Sequence, residues 1–246
     1  MQSIQTVSEN TIYVGASDRR LAKFENLFPI PRGVSYNAYV ILDEKTALLE
    51  TADASVGAQF LENVAAALDG RKLDYLIVDH MEPDHAAMIE AVLVRWPDLR
   101  LVVNAKTLPM LKMYFPTDSA AIDDALVVKE GDTLDLGKHK LTFVMAPMVH
   151  WPEVMMTFDT TTGTLFSADA FGTFGALEGA LFADEVDFAG KWLDDARRYY
   201  ANIVGKYGVQ VQAVLKKAAG LDIETICSLH GPILHKEQLA DVLAAY

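Results

Sequence analysis

Residues 80–85, with the sequence HMEPDH, constrain the fold of this chain more than any other stretch, and we call them the hexad. The apolar run at residues 75–78 comes just before the hexad and predicts a fully buried strand. Apolar residues then recur every three or four positions from Met88 to Trp96 and stop at Pro97, which predicts an amphipathic helix. The hexad therefore lies on a strand-to-helix loop, where open α/β proteins usually hold their functional groups.

The composition of the hexad predicts a metal site. His80, Glu82, Asp84 and His85 place two imidazoles and two carboxylates on one short loop. Such groups would repel one another or stay unsatisfied unless a cation or water collected them. Asp84 also stands where a helix N-cap belongs, and a single histidine is more often structural than a ligand. The four residues together nevertheless favour a metal.

Composition limits the remaining possibilities. The 246 residues, 51% of them hydrophobic, can bury one large core, and one domain or two closely fused halves would fit. No apolar run approaches the length of a membrane span, and the first residues lack the features of a signal peptide. The single cysteine, Cys227, suits a reducing cytoplasm. A formal net charge of −13 disfavours nucleic acid as a partner.

The order of the predicted elements indicates two sheets. A first β-rich region contains a hairpin that turns at residues 43–45, and a helix follows from Val56 to Leu68. Strand 101–103 and a short helix at 108–114 come after the hexad. The predicted strands of the second β-rich region cover residues 126–128, 133–136, 140–145, 154–158 and 164–167. Helices at 188–203 and 211–215 and a strand at 223–229 complete the chain. We expect two sheets packed face to face with helices outside, in a single domain over residues 1–246.

Three further candidate ligands end predicted strands. They are His150, Asp169 and His230, and both histidines are followed closely by glycine or proline, which places them on turns. For Asp169 alone, a simple turn aspartate is the better interpretation. His139 lies between two lysines and His235 begins a polar helix, so we expect both of these histidines to be solvated.

The pattern of the hexad, then one His, one Asp and one His, resembles the metallo-β-lactamase superfamily. Hydrolytic members carry His-x-His-x-Asp-His and usually bind zinc. Glu82 replaces the second histidine here, which is similar to the flavodiiron proteins, the branch that reduces dioxygen or nitric oxide. Further similarities are GVSYNAY at residues 33–39, HWP at 150–152, SADAFG at 167–172 and HGPI at 230–233.

The resemblance implies an α/β fold, the metallo-β-lactamase-like αββα four-layer sandwich with two mixed β-sheets flanked by helices. It also implies a metal centre at one edge of the sheets, with two iron ions and a bridging hydroxide or oxide. By motif, His80, Glu82 and His150 would hold the first iron. Asp84, His85 and His230 would hold the second, and Asp169 would bridge the two.

The charge of this ligand set favours iron on separate physical grounds. Carboxylates shift a site towards harder, oxygen-preferring ions, and Glu82 adds one. Four neutral imidazoles and three carboxylates carry a charge of −3. Two ferrous ions and one hydroxide would bring the centre to zero, so it could be buried without an uncompensated charge.

The resemblance also predicts what this chain lacks. Flavodiiron proteins continue into a flavodoxin-like domain that carries FMN, whereas this sequence has neither Gly-x-Gly-x-x-Gly nor a phosphate-binding loop. We therefore expect no flavodoxin domain and no flavin in residues 1–246. Electrons would come from a separate flavoprotein or rubredoxin-like donor. The family's head-to-tail arrangement implies a homodimer.

Three functions stay open at this point. The first is an oxidoreductase that reduces dioxygen or nitric oxide at a diferrous centre. The second is a dioxygen or redox sensor that holds an oxidised or peroxo state and signals to a protein partner. The third, a zinc hydrolase, is disfavoured by Glu82. We expect part of the loop at residues 171–177 to cover the metals, with Phe171, Phe174 and Trp151 lining the substrate pocket. A loop that only packs against the core is an equally good interpretation.

Overall fold

Two large β-sheets organise the chain in the computed structural model, which describes residues 3–116 and 119–245. The strands are β1 (Gln5–Ser8), β2 (Thr11–Tyr13), β3 (Ala16–Asp18), β4 (Lys23–Phe24), β5 (Phe28–Pro29), β6 (Val34–Tyr36), β7 (Tyr39–Leu42), β8 (Thr46–Leu49), β9 (Tyr75–Ile77), β10 (Arg100–Asn104), β11 (Leu126–Val128), β12 (Thr133–Asp135), β13 (Lys140–Met145), β14 (Met155–Asp159), β15 (Thr164–Phe166), β16 (Thr225–Cys227) and β17 (Leu234–His235).

Helices connect and cover these strands. The α-helices are α1 (Gly57–Leu68), α2 (Pro83–Ala86), α3 (Ile89–Arg95), α4 (Thr107–Tyr114), α5 (Ser119–Asp123), α6 (Leu193–Tyr199), α7 (Gly208–Ala218) and α8 (Lys236–Ala245). Short 3₁₀ turns lie at Ala54–Val56, Ala183–Glu185 and Gly205–Tyr207, and π-helical turns lie at Phe188–Trp192 and Tyr200–Val204.

Both large sheets are mixed. The first has the strand order β1-β2-β7-β8-β9-β10-β11, and its pairs from β8 to β11 are parallel. The second has the order β12-β13-β14-β15-β16-β17, and only its pair β15–β16 is parallel. Two small ribbons, β3–β6 and β4–β5, accompany the sheets. The predicted mixed sheets are therefore confirmed.

Side-chain alternation along the strands separates the layers. Ile77 of β9 belongs to a buried cluster that also holds Phe143 and Phe166 of the second sheet, so this cluster lies between the sheets. The preceding residue, Leu76, points to the opposite face and packs in a cluster with Phe60 of α1. The helices thus cover the outer faces, as the four-layer sandwich requires.

Helix α1 shows how the local sequence builds an outer layer. Phe60, Val64 and Leu68 are buried on one side of the helix, at the predicted spacing. Burying the Phe60 side chain contributes about 2 kcal/mol relative to leaving it exposed. The helix ends where Asp69 and Gly70 both adopt left-handed backbone conformations. The predicted helix is confirmed.

Three sequence predictions need correction in their details. Residues 126–128 belong to the second β-rich region of the sequence. They nevertheless form strand β11, which pairs with β10 in the first sheet. The helix predicted from Met88 to Trp96 is α3, but a separate one-turn helix, α2, lies inside the hexad, where only a loop was expected. The long helix expected at residues 188–203 alternates between π-helical and α-helical turns.

The predictions for His139 and His235 also need correction. His139 is fully buried rather than solvated, and its Nδ1 lies 2.7 Å from Asp159 Oδ2. His235 is half-buried and its ring stacks on Phe182. Residues 3–116 and 119–245 include no helix with the length and apolar character needed to cross a membrane.

Candidate metal centre

The hexad follows the carboxyl end of β9, as predicted. Glu82 is the N-cap residue of the one-turn helix α2, and Pro83 occupies its first position, where the missing N–H is not needed. Asp84 and His85 lie inside this turn, so Asp84 is not the N-cap that its position in the sequence indicates. The tight turn directs the four polar side chains of the hexad to one edge of the sheets.

The other three candidate ligands come from the second half of the chain. His150 lies on the connection between β13 and β14. Asp169 and His230 follow β15 and β16, which are parallel neighbours. Because parallel neighbours end at the same edge of a sheet, Asp169 and His230 emerge side by side.

The seven predicted ligands come together in two groups. The first contains His80, Glu82, His150 and Asp169, and the second contains Asp84, His85 and His230. Within each group the candidate ligand atoms lie within 4.8 Å of one another, and all seven residues are buried. Each group combines residues of the hexad with residues that follow strands of the second sheet.

Asp169 stands between the two groups. Its Oδ2 lies 3.0 Å from His150 Nε2 and 3.3 Å from His80 Nε2. Its Oδ1 lies 3.3 Å from His85 Nε2 and 3.5 Å from His230 Nε2. One oxygen therefore faces each group, which is the arrangement that a bridging carboxylate needs.

Buried atoms without partners show that the centre fits cations. Both carboxylate oxygens of Asp84 and Oδ1 of Asp169 are buried and accept no hydrogen bond from the described residues. Leaving a buried carboxylate oxygen unpaired is costly, and a metal ion would remove that cost. Imidazole and carboxylate donors together suit iron as well as zinc.

The pKa values of the metal-free centre point in the same direction. Burial lowers the pKa of His150, but hydrogen bonds to Asp169 and Glu82 outweigh it and raise this pKa to about 9. Burial raises the pKa of Glu82, but hydrogen bonds from His150 and His80 hold it below its usual value. The pocket thus stabilises positive charge beside its carboxylates, which is the environment that a metal cation needs.

Acceptors behind the histidines fix the ring orientation. Glu153 is buried and its Oε1 lies 2.8 Å from Nδ1 of His80. The backbone carbonyl of Ser35 lies 2.6 Å from Nδ1 of His230. If Nδ1 carries the proton in both rings, each Nε2 presents a lone pair to the centre. Glu50 adds a further restraint, since its carboxylate accepts the backbone N–H of His80 at 2.9 Å.

An open cavity of about 460 Å³ borders one ligand from each group. Glu82 and Asp84 line it together with Trp151 and Glu25. A hydrogen bond shared with Glu82, together with partial burial, raises the pKa of Glu25 to about 8. Sequence reasoning identified neither Glu25 nor Glu153, because neither belongs to a ligand motif; each is recognisable only by its proximity in the fold.

The three predicted pocket residues lie in different places. Trp151 lines the open cavity, and its ring meets that of His80 edge-on with 5.4 Å between centroids. Phe174 is buried and packs on Tyr199, at 5.1 Å between centroids. Phe171 is half-buried and lines a separate apolar cavity.

Comparison with known proteins agrees with this geometry. The model of the "ODP family beta lactamase" matches residues 34–231. The chain is 35% identical over 235 residues to the nitric oxide reductase of Moorella thermoacetica, which covers 94% of this chain and 57% of the relative. It is 35% identical over 231 residues to the anaerobic nitric oxide reductase flavorubredoxin of Klebsiella pneumoniae, covering 92% of this chain and 47% of that protein. The chain thus spans about half the length of these curated relatives.

Solved structures show the same fold. The rubredoxin oxygen:oxidoreductase from Desulfovibrio gigas superposes with a TM-score of 0.92 at 30% identity, covering 99% of this chain and 60% of that one. The flavodiiron protein from Giardia intestinalis superposes with a TM-score of 0.91 at 26% identity, covering 99% and 58%. The family model covers most of the chain, and the structural match extends over nearly all of it. The chain therefore belongs to the ODP beta-lactamase family, and it resembles the diiron core domain of flavodiiron proteins.

Proposed function

We propose that this protein is a non-haem diiron oxidoreductase that reduces dioxygen or nitric oxide with electrons from a separate redox partner. The observation that carries the proposal is the pair of buried ligand groups joined by Asp169, with Glu82 in place of a third hexad histidine. The names of the similar proteins support both gases. One relative is named nitric oxide reductase, and one solved structure is named rubredoxin oxygen:oxidoreductase.

The proposal assigns a role to each residue of the centre. His80, Glu82 and His150 hold the first iron, and Asp84, His85 and His230 hold the second, with Asp169 between them. When bound, ferrous iron supplies electrons and a position at which a diatomic gas can bind. Glu153 and Ser35 keep the rings of His80 and His230 in the orientation that presents Nε2.

Trp151 and Glu25 line the open cavity beside the centre. The Trp151 indole covers one side of His80 and limits the access of water there. Glu25 lines the same cavity and shares a hydrogen bond with Glu82. Two further electrons have to come from outside the centre, because full reduction of dioxygen to water needs four electrons and two ferrous ions would give two. Burial raises the pKa of the Cys227 thiol and keeps it unreactive, so it is not an alternative reductant.

Oxygen consumption tests the proposal. Protein loaded anaerobically with iron should consume about one dioxygen per centre with its own two electrons. A small flavoprotein or rubredoxin donor should then restore turnover, and Asp169→Asn should abolish it. A centre that stays oxidised in the presence of such donors would instead favour the sensor function. Sustained turnover of the isolated protein with a weak chemical reductant would contradict the need for a donor.

A further inference from the structure

A second cavity is lined by a different part of the chain from the open one. It is situated between α7 and the second sheet, with Val211 and Val214 on the helix side and Met156 and Leu165 on the strand side. Every residue that lines it is apolar. The open cavity differs in character, since carboxylates such as Glu25 and Asp84 line that entrance.

The apolar cavity borders the segments that carry two ligands of the first group. Val149, which precedes His150, lines one part of its wall. Ala170 and Phe171, which follow Asp169, line another part. The wall of the cavity is therefore formed in part by the chain neighbours of two ligands of the first group.

The lining and the size of the cavity select the occupant. About 20 Å³ is free for the centre of a molecule as large as water. Holding a water takes about 10–15 Å³ of such space and also two to four polar partners, and the lining of this cavity offers none. A small molecule without hydrogen-bonding needs fits the space better, and apolar cavities of proteins bind such gases.

We propose that this apolar cavity is a binding site for a diatomic gas, dioxygen or nitric oxide, and that it supplies the gas to the metal centre. The identity of the gas rests on the proposed function, whereas the site rests on the lining of the cavity. The two cavities then have different roles, because protons reach the centre through the carboxylate-lined cavity and the gas reaches it through the apolar one.

Xenon tests the site without any dependence on activity. Crystals pressurised with xenon should show one atom beside Val214 in the wild-type protein. Val214→Phe should fill the cavity and remove that atom, and Ala218→Leu provides a second, milder filling variant on the same helix. Val209→Phe is the matched control, because Val209 belongs to α7 but is 81% exposed.

Stopped-flow oxidation of the iron-loaded, diferrous protein tests the supply of gas. The second-order rate constant with dioxygen or nitric oxide should fall at least several-fold in both filling variants and stay unchanged in Val209→Phe. The proposal is overturned if wild-type crystals show no xenon at this position, or if a filling variant excludes xenon yet reacts at the wild-type rate. A wild-type protein that binds xenon there but reacts with neither gas would contradict the proposed function while supporting the gas-binding cavity.

Discussion

The Nε2 atoms of His85 and His230 lie 3.1 Å apart, although the two residues are separated by 145 positions in the chain. Two neutral imidazoles cannot both direct lone pairs at each other at this distance without a proton or a cation to receive them. With Asp84 Oδ2 lying 3.5 Å from His85 Nε2 and 3.4 Å from His230 Nε2, the three residues share one point that suits a metal ion.

Removing one of these imidazoles should remove one metal. We expect two irons per wild-type chain after anaerobic loading and dialysis. His230→Gln should retain about one per chain, because the second ion would keep only Asp84, His85 and the shared Asp169. Elemental analysis measures the ratio. His235→Gln is the control, since His235 lies outside both groups. Two tightly held irons in His230→Gln would show that His230 is not a ligand.

Substituting the unusual hexad residue should change the choice of metal. Glu82→His replaces an anionic oxygen donor by a neutral nitrogen donor, so it should raise the ratio of zinc to iron bound when both ions compete. Glu82→Gln removes the charge without adding an imidazole and separates the two effects. A ratio that is the same in Glu82→His and the wild type would refute the charge argument.

Replacing Glu153, the hydrogen-bond acceptor of His80, should weaken iron binding at the first site alone. Glu153→Ala removes the carboxylate that lies 2.8 Å from His80 Nδ1, so iron affinity at the first site should fall by about 10–100-fold. Glu153→Gln keeps an amide oxygen as acceptor and should lose less. Competition with a chelator gives both affinities, and the second site should be unaffected. Equal weakening of both sites would indicate general unfolding instead.

The metal-free protein should lose stability as pH rises. The pKa of His150 is raised to about 9 and that of Asp79 to about 8, so the folded state binds more protons than the unfolded chain in this range. The stabilisation is complete below the pKa values of the unfolded chain and is lost as pH rises through the pKa values of the folded protein. For His150 this stabilisation amounts to at most about 3 kcal/mol. Denaturant unfolding of chelator-treated protein at pH 6 and pH 9.5 measures it. The stability of iron-loaded protein, whose ligands hold no such protons, should change less between these pH values. An increase in the stability of the metal-free protein with pH would contradict this account.

A side chain at Gly231 should damage the fold next to His230. Gly231 has φ +82°, and a Cβ there would lie 2.0 Å from Thr173 Cγ2. Gly70 is the matched control, since it has φ +80° but nothing within 4 Å of its Cβ position. Gly70→Ala should cost about 1–2 kcal/mol of unfolding free energy from the backbone alone, and Gly231→Ala about 1–3 kcal/mol more from the clash. Equal losses in the two variants would show that Thr173 moves away freely.

The parts of the fold predicted well from the sequence depend on local pattern. Helix α1 was identifiable because Phe60, Val64 and Leu68 repeat at helical spacing within a single segment. The hexad was identifiable because four polar groups of ligand type occur on one loop. Neither inference needs information about a distant part of the chain.

The parts that failed depend on distant partners. His139 has lysines on both sides, which indicates solvent, but Asp159 across the β13–β14 pair holds its ring in the core. Glu153 is 73 positions from His80, so its role is invisible before folding. Strand β11 joins the first sheet by parallel pairing with β10, and such pairing leaves no turn signal in the sequence.

The division of each ligand group between the two sheets has a consequence for how the protein is made in the cell. The hexad leaves the ribosome first, but the second group is completed only by His230, which follows His85 by 145 residues. At ordinary synthesis rates this interval lasts on the order of ten seconds. A metal captured during that time would be held by an incomplete set of ligands. Iron delivery should therefore follow translation of both halves rather than guide the folding of the nascent chain.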